Sequence, residues 1–163
     1  MPNKMHNSGV ATISAPEFVL GNLKKKNKIN RILRSGKIAV IIGEPGTGKT
    51  LLAENCLRNH TFIKPTERDH QNRYILSTEV AHDKKSALII DDAFLFNKES
   101  LKKFAEYTWG KRIKLIITAS SPEDIPGIEP IADYIRLEIP PVNVRSPDNN
   151  KDNTFQLDLP PNF

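Results

Sequence analysis

Residues 38–50 read Ile38-Ala39-Val40-Ile41-Ile42-Gly43-Glu44-Pro45-Gly46-Thr47-Gly48-Lys49-Thr50. The unbroken apolar run Ile38 to Ile42 suits a strand buried on both faces of a parallel sheet. From Gly43 to Thr50 the chain matches the phosphate-loop pattern G-x-x-x-x-G-K-[ST] at every required place. Residues Lys49 to Asn59 then read as a helix with Leu51, Leu52, Ala53, Cys56 and Leu57 inward. The chemistry needs these residue types. Glycines let backbone N–H groups approach phosphate oxygens closely, and a helix start adds free N–H groups and partial positive charge. Lys49 supplies a compact cation to the β- and γ-phosphates, and the Thr50 hydroxyl suits magnesium. Gly43, Glu44, Pro45, Gly46, Thr47, Gly48, Lys49, Thr50 and Leu51 are therefore the expected nucleotide-binding residues.

Downstream, Ala87-Leu88-Ile89-Ile90 is a second buried-strand pattern, and it ends in Asp91-Asp92. Ligands of open α/β sheets bind beyond the carboxyl ends of the strands, so these carboxylates are expected beside the phosphate loop. Asp91 is the expected magnesium partner with Thr50. Asp92 is the expected residue to polarise an attacking water. A third apolar run, Lys114 to Thr118, leads into Ala119-Ser120-Ser121. Ser120 first, and Thr118 second, are the polar residues placed to meet the γ-phosphate or the water. With Lys49 and Asp92, Ser120 completes the expected catalytic set.

Further out the patterns are looser. Phe62-Ile63 and Tyr74-Ile75-Leu76 are short strand candidates, with Pro65 to Asn72 a polar loop between them. Tyr134 to Ile139 alternates with period two, as a strand does. Lys98 to Trp109 reads as a helix capped by Asn97 or its neighbours and closed by Gly110. Residues 22–35 read as a basic helix with Leu23, Ile29, Ile32 and Leu33 on its apolar side, stopped by Gly36. Phe18-Val19-Leu20 before it is a short apolar anchor. Strands alternating with helices imply an α/β fold of three layers around a mainly parallel five-stranded sheet. The expected division is a flexible segment at 1–16, a phosphate-loop domain at 17–141 and a flexible polar tail at 142–163.

The chain has 163 residues, 26% charged and 38% hydrophobic, which fits one soluble globular domain with its own core. No apolar stretch approaches the roughly 20 residues needed to span a bilayer, and Met1 to Ser8 is polar, without the apolar run expected of a secretory signal. A lone cysteine, Cys56, allows no internal disulfide and suits a reducing cytoplasm. His6, His60, His70 and His82 lack metal-ligand spacing. The net charge of +5 owes much to Lys24, Lys25, Lys26, Lys28, Arg31, Arg34 and Lys37. That run reads as a solvated helix face or as a contact surface for DNA or an acidic partner.

The run Leu88 to Phe94, the helix from Ser100 to Tyr107, and the run Leu115 to Pro122 resemble the core of the additional-strand (AAA+) ATPases of the DnaA, Hda and DnaC clade. The segment Phe18 to Asn22 looks like that clade's entry segment beside the nucleotide base. The resemblance covers roughly residues 17–140 and is closest to the Hda-like regulators. It implies binding of ATP or ADP with Mg2+, a double Asp at the second site, and an extra strand, ending near Ser120, between the phosphate-loop strand and the Asp91 strand. The clade's helical lid and arginine finger have no clear counterpart; Arg136 is the nearest arginine, inside a strand pattern. Gln156-Leu157-Asp158-Leu159-Pro160 resembles the short peptide that docks bacterial replication proteins on the sliding clamp, with Gln156, Leu157 and Leu159 as its contacts. The implied role is regulation of replication initiation with a DnaA-type initiator and the clamp as partners. The alternative is an ATPase that loads a helicase or assists transposition, with the basic helix at 24–37 touching DNA. A small-molecule kinase is disfavoured, because no arginine-rich lid follows Thr118.

Overall fold

Two apolar runs without turn residues, Ile38–Ile42 (β1) and Leu115–Ala119 (β4), are buried along their whole length. They pair in parallel, Ala39 opposite Ile116 and Ile41 opposite Thr118. In this computed structural model, which describes residues 15–81 and 87–138, three further strands complete a parallel sheet. They are His60–Phe62 (β2), Ala87–Ile90 (β3) and Ala132–Arg136 (β5), and the strand order is β2-β3-β4-β1-β5. The expected extra strand is present: β4 lies between β1 and β3.

Period two along each strand divides the core into two clusters, one on each face of the sheet. Val40, Ile42, Leu88, Ile90, Leu115 and Ile117 join one cluster with Leu101, Phe104 and Ala105 of the helix Lys98–Gly110 (α3). Ala39, Ile41, Ile89, Ile116 and Ile135 join the other. They meet Ile29, Ile32 and Leu33 of the helix Ala15–Arg34 (α1) and Leu52, Ala53 and Cys56 of the helix Lys49–Cys56 (α2). Helices on both faces of a parallel sheet make the three-layer α/β phosphate-loop architecture. Among the described residues no helix follows β5, and none is long and apolar enough to cross a membrane.

Several local expectations need correcting. Phe18 to Leu20 lies within α1, which starts at Ala15. Leu23 is exposed, because Ile29, Ile32 and Leu33 set the buried stripe and Leu23 falls outside it. Leu51 is 60% exposed. Leu52, Ala53 and Cys56 form the inward stripe of α2, and Leu51 sits round the helix from them. That helix ends at Cys56, with Leu57 extended, rather than at Asn59. Tyr74 to Leu76 forms no strand; Tyr74 makes only isolated bridges to Arg68 and Phe96. The last strand is Ala132–Arg136, two residues earlier than Tyr134 at its start. Gly110 is still helical, and Arg112 (φ 56) makes the left-handed turn after it. The Asn97 cap is as expected, its side chain accepting from the Ser100 N–H at 3.0 Å. The expectations on residues 1–14, on Ile139 to Pro141 and on the tail peptide with Gln156, Leu157 and Leu159 lie outside the described residues.

Candidate functional site

The site is assembled by parity. On β3, Leu88 and Ile90 face α3, so Ile89 and the following Asp91 face α2. On β4, Leu115, Ile117 and Ala119 face α3, so Ile116 and Thr118 face α2. Ile90 pairs with Ile117, which puts Asp91 level with Thr118. The first turn of α2 brings Thr50 to the same point. Thr50 Oγ1 donates to Asp91 Oδ1 at 2.8 Å, and Thr118 Oγ1 donates to the same oxygen at 2.7 Å. The Asp92 N–H in turn donates to Thr118 Oγ1 at 2.8 Å. Thr118 is fully buried and is one of two buried polar side chains among the described residues. A buried hydroxyl needs partners, and this one has both a donor and an acceptor.

The phosphate loop joins β1 to α2. The Gly43 N–H is held by the Ala119 carbonyl at 3.1 Å, which ties the loop's first residue to the end of β4. A Cβ on Gly43 would lie 2.6 Å from Thr47 Oγ1 and 3.0 Å from the Leu137 carbonyl oxygen. Only glycine fits there. Gly48, the N-cap of α2, has φ 86, a left-handed conformation that turns the chain into the helix. Thr47 closes the loop's turn through Oγ1 to the Glu44 carbonyl at 2.7 Å. Lys49 Nζ donates to the carbonyls of Gly43 at 2.6 Å and Glu44 at 3.0 Å, so the ammonium is folded over the mouth of the loop. Glu44, Pro45 and Gly46 are exposed at the tip, and Leu51 is exposed one turn beyond.

These residues fit a magnesium nucleotide. The loop's first backbone position admits no side chain, the first-turn N–H groups of α2 have no intrahelical acceptor, and a hydroxyl and a carboxylate already share one point. Thr50 and Asp91 would hold the magnesium; Lys49 and the loop amides would hold the phosphates. The metal supplies charge neutralisation at the phosphoryl oxygens. This chain's own residues provide orientation: Thr118 fixes one oxygen of Asp91, leaving the other to accept.

Asp92 adopts φ 60 and ψ 79, a left-handed conformation unusual for a residue with a side chain. It is exposed beside Asp91 and leads into the 3₁₀ turn Ala93–Leu95. Strain of this kind is concentrated at functional sites, where surrounding bonds hold it. Here the Thr118 hydroxyl is one such bond. Ser120 lies one residue beyond β4 and is exposed; its N–H donates to Asp124 Oδ2 at 3.1 Å. Of the two polar residues weighed on this strand, Thr118 is the one in contact with Asp91. Arg136 is exposed at the end of β5.

One connection was not anticipated. The loop between β2 and β3 is tied to the segment after Asp92. The Tyr74 N–H donates to the Leu95 carbonyl at 2.8 Å, and the Asn97 N–H to the Tyr74 carbonyl at 2.8 Å. Asp69 organises this loop: it accepts from Asn97 Nδ2 at 2.8 Å and from the N–H groups of Gln71 and Arg73 at 2.9 Å each. The Asn97 amide, followed by the Arg73 N–H, holds the Asp69 carboxyl below the usual range. The helix cap at Asn97 was legible; its second bond, to a residue 28 positions away, had no sequence signal.

A family model described as Novel STAND NTPase 3 matches residues 22–128, and the chain belongs to that family. Among solved structures it is similar to the P-loop NTPase domain of the Sigma-54 transport activator from E. coli. That match is 13% identical, covers 70% of this chain and 96% of that one, and has a TM-score of 0.45. No curated protein matches the chain.

Proposed function

We propose, from membership of the Novel STAND NTPase 3 family and from the site geometry, that the chain is a magnesium-dependent ATP switch with slow hydrolysis of its own. The observation that carries this reading is the convergence of Thr50 and Thr118 on one oxygen of Asp91. Two strands and the phosphate-loop helix meet at that oxygen, so a change in its ligation reaches all three. Asp92 stands next to it in a strained conformation, in position to orient water. Slow turnover follows from the arginines. The arginine finger of the resembled clade has no clear counterpart in this sequence. In related nucleotide hydrolases an arginine finger is worth about 10³–10⁵ in rate. Calorimetric titration with ATP, ADP and GTP, each with magnesium and with chelator, tests the reading. Expected is ATP and ADP binding that magnesium strengthens, lost in Lys49→Ala and made magnesium-insensitive in Asp91→Asn. Absence of nucleotide binding by the intact chain would end this proposal.

The narrower role, regulation of replication initiation on the sliding clamp, is supported by the sequence resemblance and by the tail residues Gln156, Leu157 and Leu159. The inserted position of β4 fits that clade. Pull-down on immobilised clamp tests it. Binding by the intact chain, lost in Leu157→Ala with Leu159→Ala, would support it, and no binding would remove it.

A further inference from the structure

Between Glu17 and Glu44 the chain carries seven cations and no carboxylate. Six of them, Lys24, Lys25, Lys26, Lys28, Arg31 and Arg34, lie on α1. The helix sorts them. Ile29, Ile32 and Leu33 are buried against α2 and the sheet. At about 100° per residue, Lys24, Arg31 and Arg34 fall on the opposite side and Lys28 at the edge of the stripe beside Ile32, and all four are exposed. Lys25 lies within the arc of the buried stripe and Lys26 beside it, and both are half-buried. None of the four outward cations takes part in an ion pair among the described residues. They form a single-sign stripe about 15 Å long on a rigid element. A helix that only needed solubility could mix signs, as α3 does with Glu99–Lys103 and Lys102–Glu106.

We propose that this stripe binds the phosphate backbone of duplex DNA. Charge complementarity favours it: duplex DNA offers about one negative charge per 1.7 Å of axis. A membrane surface fits less well. An interfacial helix inserts its apolar face, and that of α1 is already buried by Leu52, Ala53 and Cys56. A single strand fits less well, because stacking platforms need aromatics beside the cations. The exposed Trp109 is on α3, across the sheet. A helix about 10–12 Å across can seat in the roughly 12 Å major groove of B-DNA and reach phosphates on both of its walls, whereas the major groove of A-form RNA is too narrow to admit it, so duplex RNA fits less well. The contact is independent of sequence, since a lysine and arginine stripe with no amide fork reads phosphates and not base edges.

The test is fluorescence anisotropy of a labelled 20-base-pair duplex (about two helical turns) with the full chain, without nucleotide, over about 50–200 mM salt. Four neutralised phosphates give a slope of log K against log salt of about −3.6, a loss of about 150-fold over that range. Lys28→Gln with Arg31→Gln should bring the slope to about −1.8, with the melting temperature unchanged. Single-stranded oligonucleotide, duplex RNA and phosphatidylserine vesicles are run beside the DNA. Weaker binding to all three supports the assignment. No duplex binding at low salt, an unaltered slope in the double variant, or equal or tighter binding to any of the three would overturn it. Because nucleotide is absent throughout, this result stands apart from the fate of the ATP reading.

Discussion

Replacing Thr118 by valine removes a hydroxyl while leaving the side chain's shape nearly unchanged, so it isolates the hydrogen bonds at the centre of the site. Two bonds are lost: the one Thr118 donates to Asp91 at 2.7 Å and the one it accepts from the Asp92 N–H at 2.8 Å. A hydrogen bond to a charged acceptor contributes about 1.5–3 kcal/mol, and stranding the part-buried Asp92 N–H costs less than the about 1–3 kcal/mol of a fully buried one. The added methyl returns about 0.8 kcal/mol. Asp91 is half-buried, so water takes over part of its lost bond. The expected net destabilisation is about 2 kcal/mol. At about 4 °C per kcal/mol for a domain of this size, the melting temperature falls by about 8 °C. Losing a group that orients a metal ligand typically costs about 10–100-fold in metal affinity or activity. Magnesium-dependent ATP affinity should therefore drop by at least about tenfold. Affinity measured in chelator should not change, because the Thr118 side-chain hydrogen bonds go to Asp91 and Asp92 and not to the phosphate loop. Thr118→Ser keeps the hydroxyl and should recover the magnesium response. Calorimetry with and without magnesium, alongside thermal melting, reads all of this. An equal loss in chelator, or no loss of either quantity in the valine variant, would refute the assignment of Thr118 as the residue that positions Asp91.

Gly43→Ala places a Cβ 2.6 Å from Thr47 Oγ1 and 3.0 Å from the Leu137 carbonyl, forcing the loop from its seat. It should cost about 1–3 kcal/mol and abolish nucleotide binding, read by thermal melting and titration. Burial pushes the Cys56 thiol up to about 11, against a smaller opposing pull from Lys26. At pH 8 the native thiol should label with iodoacetamide at least about a hundredfold more slowly than in urea, accelerating as pH rises. The Asp69 carboxyl is held low by Asn97 and the Arg73 N–H, so ionised Asp69 favours the folded chain. That stabilisation is complete above the ordinary value of 3.8 and disappears as pH falls through the depressed one. Asp69→Asn should therefore show a flatter melting-temperature profile than wild type between about pH 5 and pH 2.

Local pattern and tertiary context contributed differently to different elements. β1, β3 and β4 are long apolar runs bounded by polar residues, and such runs have one stable use in a chain of this size. The Asn97 cap is a local device whose signal lies in three adjacent residues. β2, with three half-buried residues, is held by pairing with β3 more than by its own composition. Tyr74 to Leu76 has strand-like residues, but the bonds from Tyr74 to Leu95 and Asn97 use its backbone as a tether. Leu51 reads as apolar and inward until the stripe of Leu52, Ala53 and Cys56 sets the helix's rotation.

The phosphate loop, its lysine and the paired carboxylates can be read from the linear chain, because each is a contiguous motif whose chemistry depends on neighbours in sequence. Which polar residue of β4 meets Asp91 cannot be read that way. Thr118 and Ser120 share a parity, and only the register of Ile90 on Ile117 brings the threonine level with the carboxylate. The tether from Asp69 to Asn97 and the bonds of Tyr74 to Leu95 and Asn97 belong to the same class. Each depends on distances between segments far apart in sequence, which packing sets and composition does not encode.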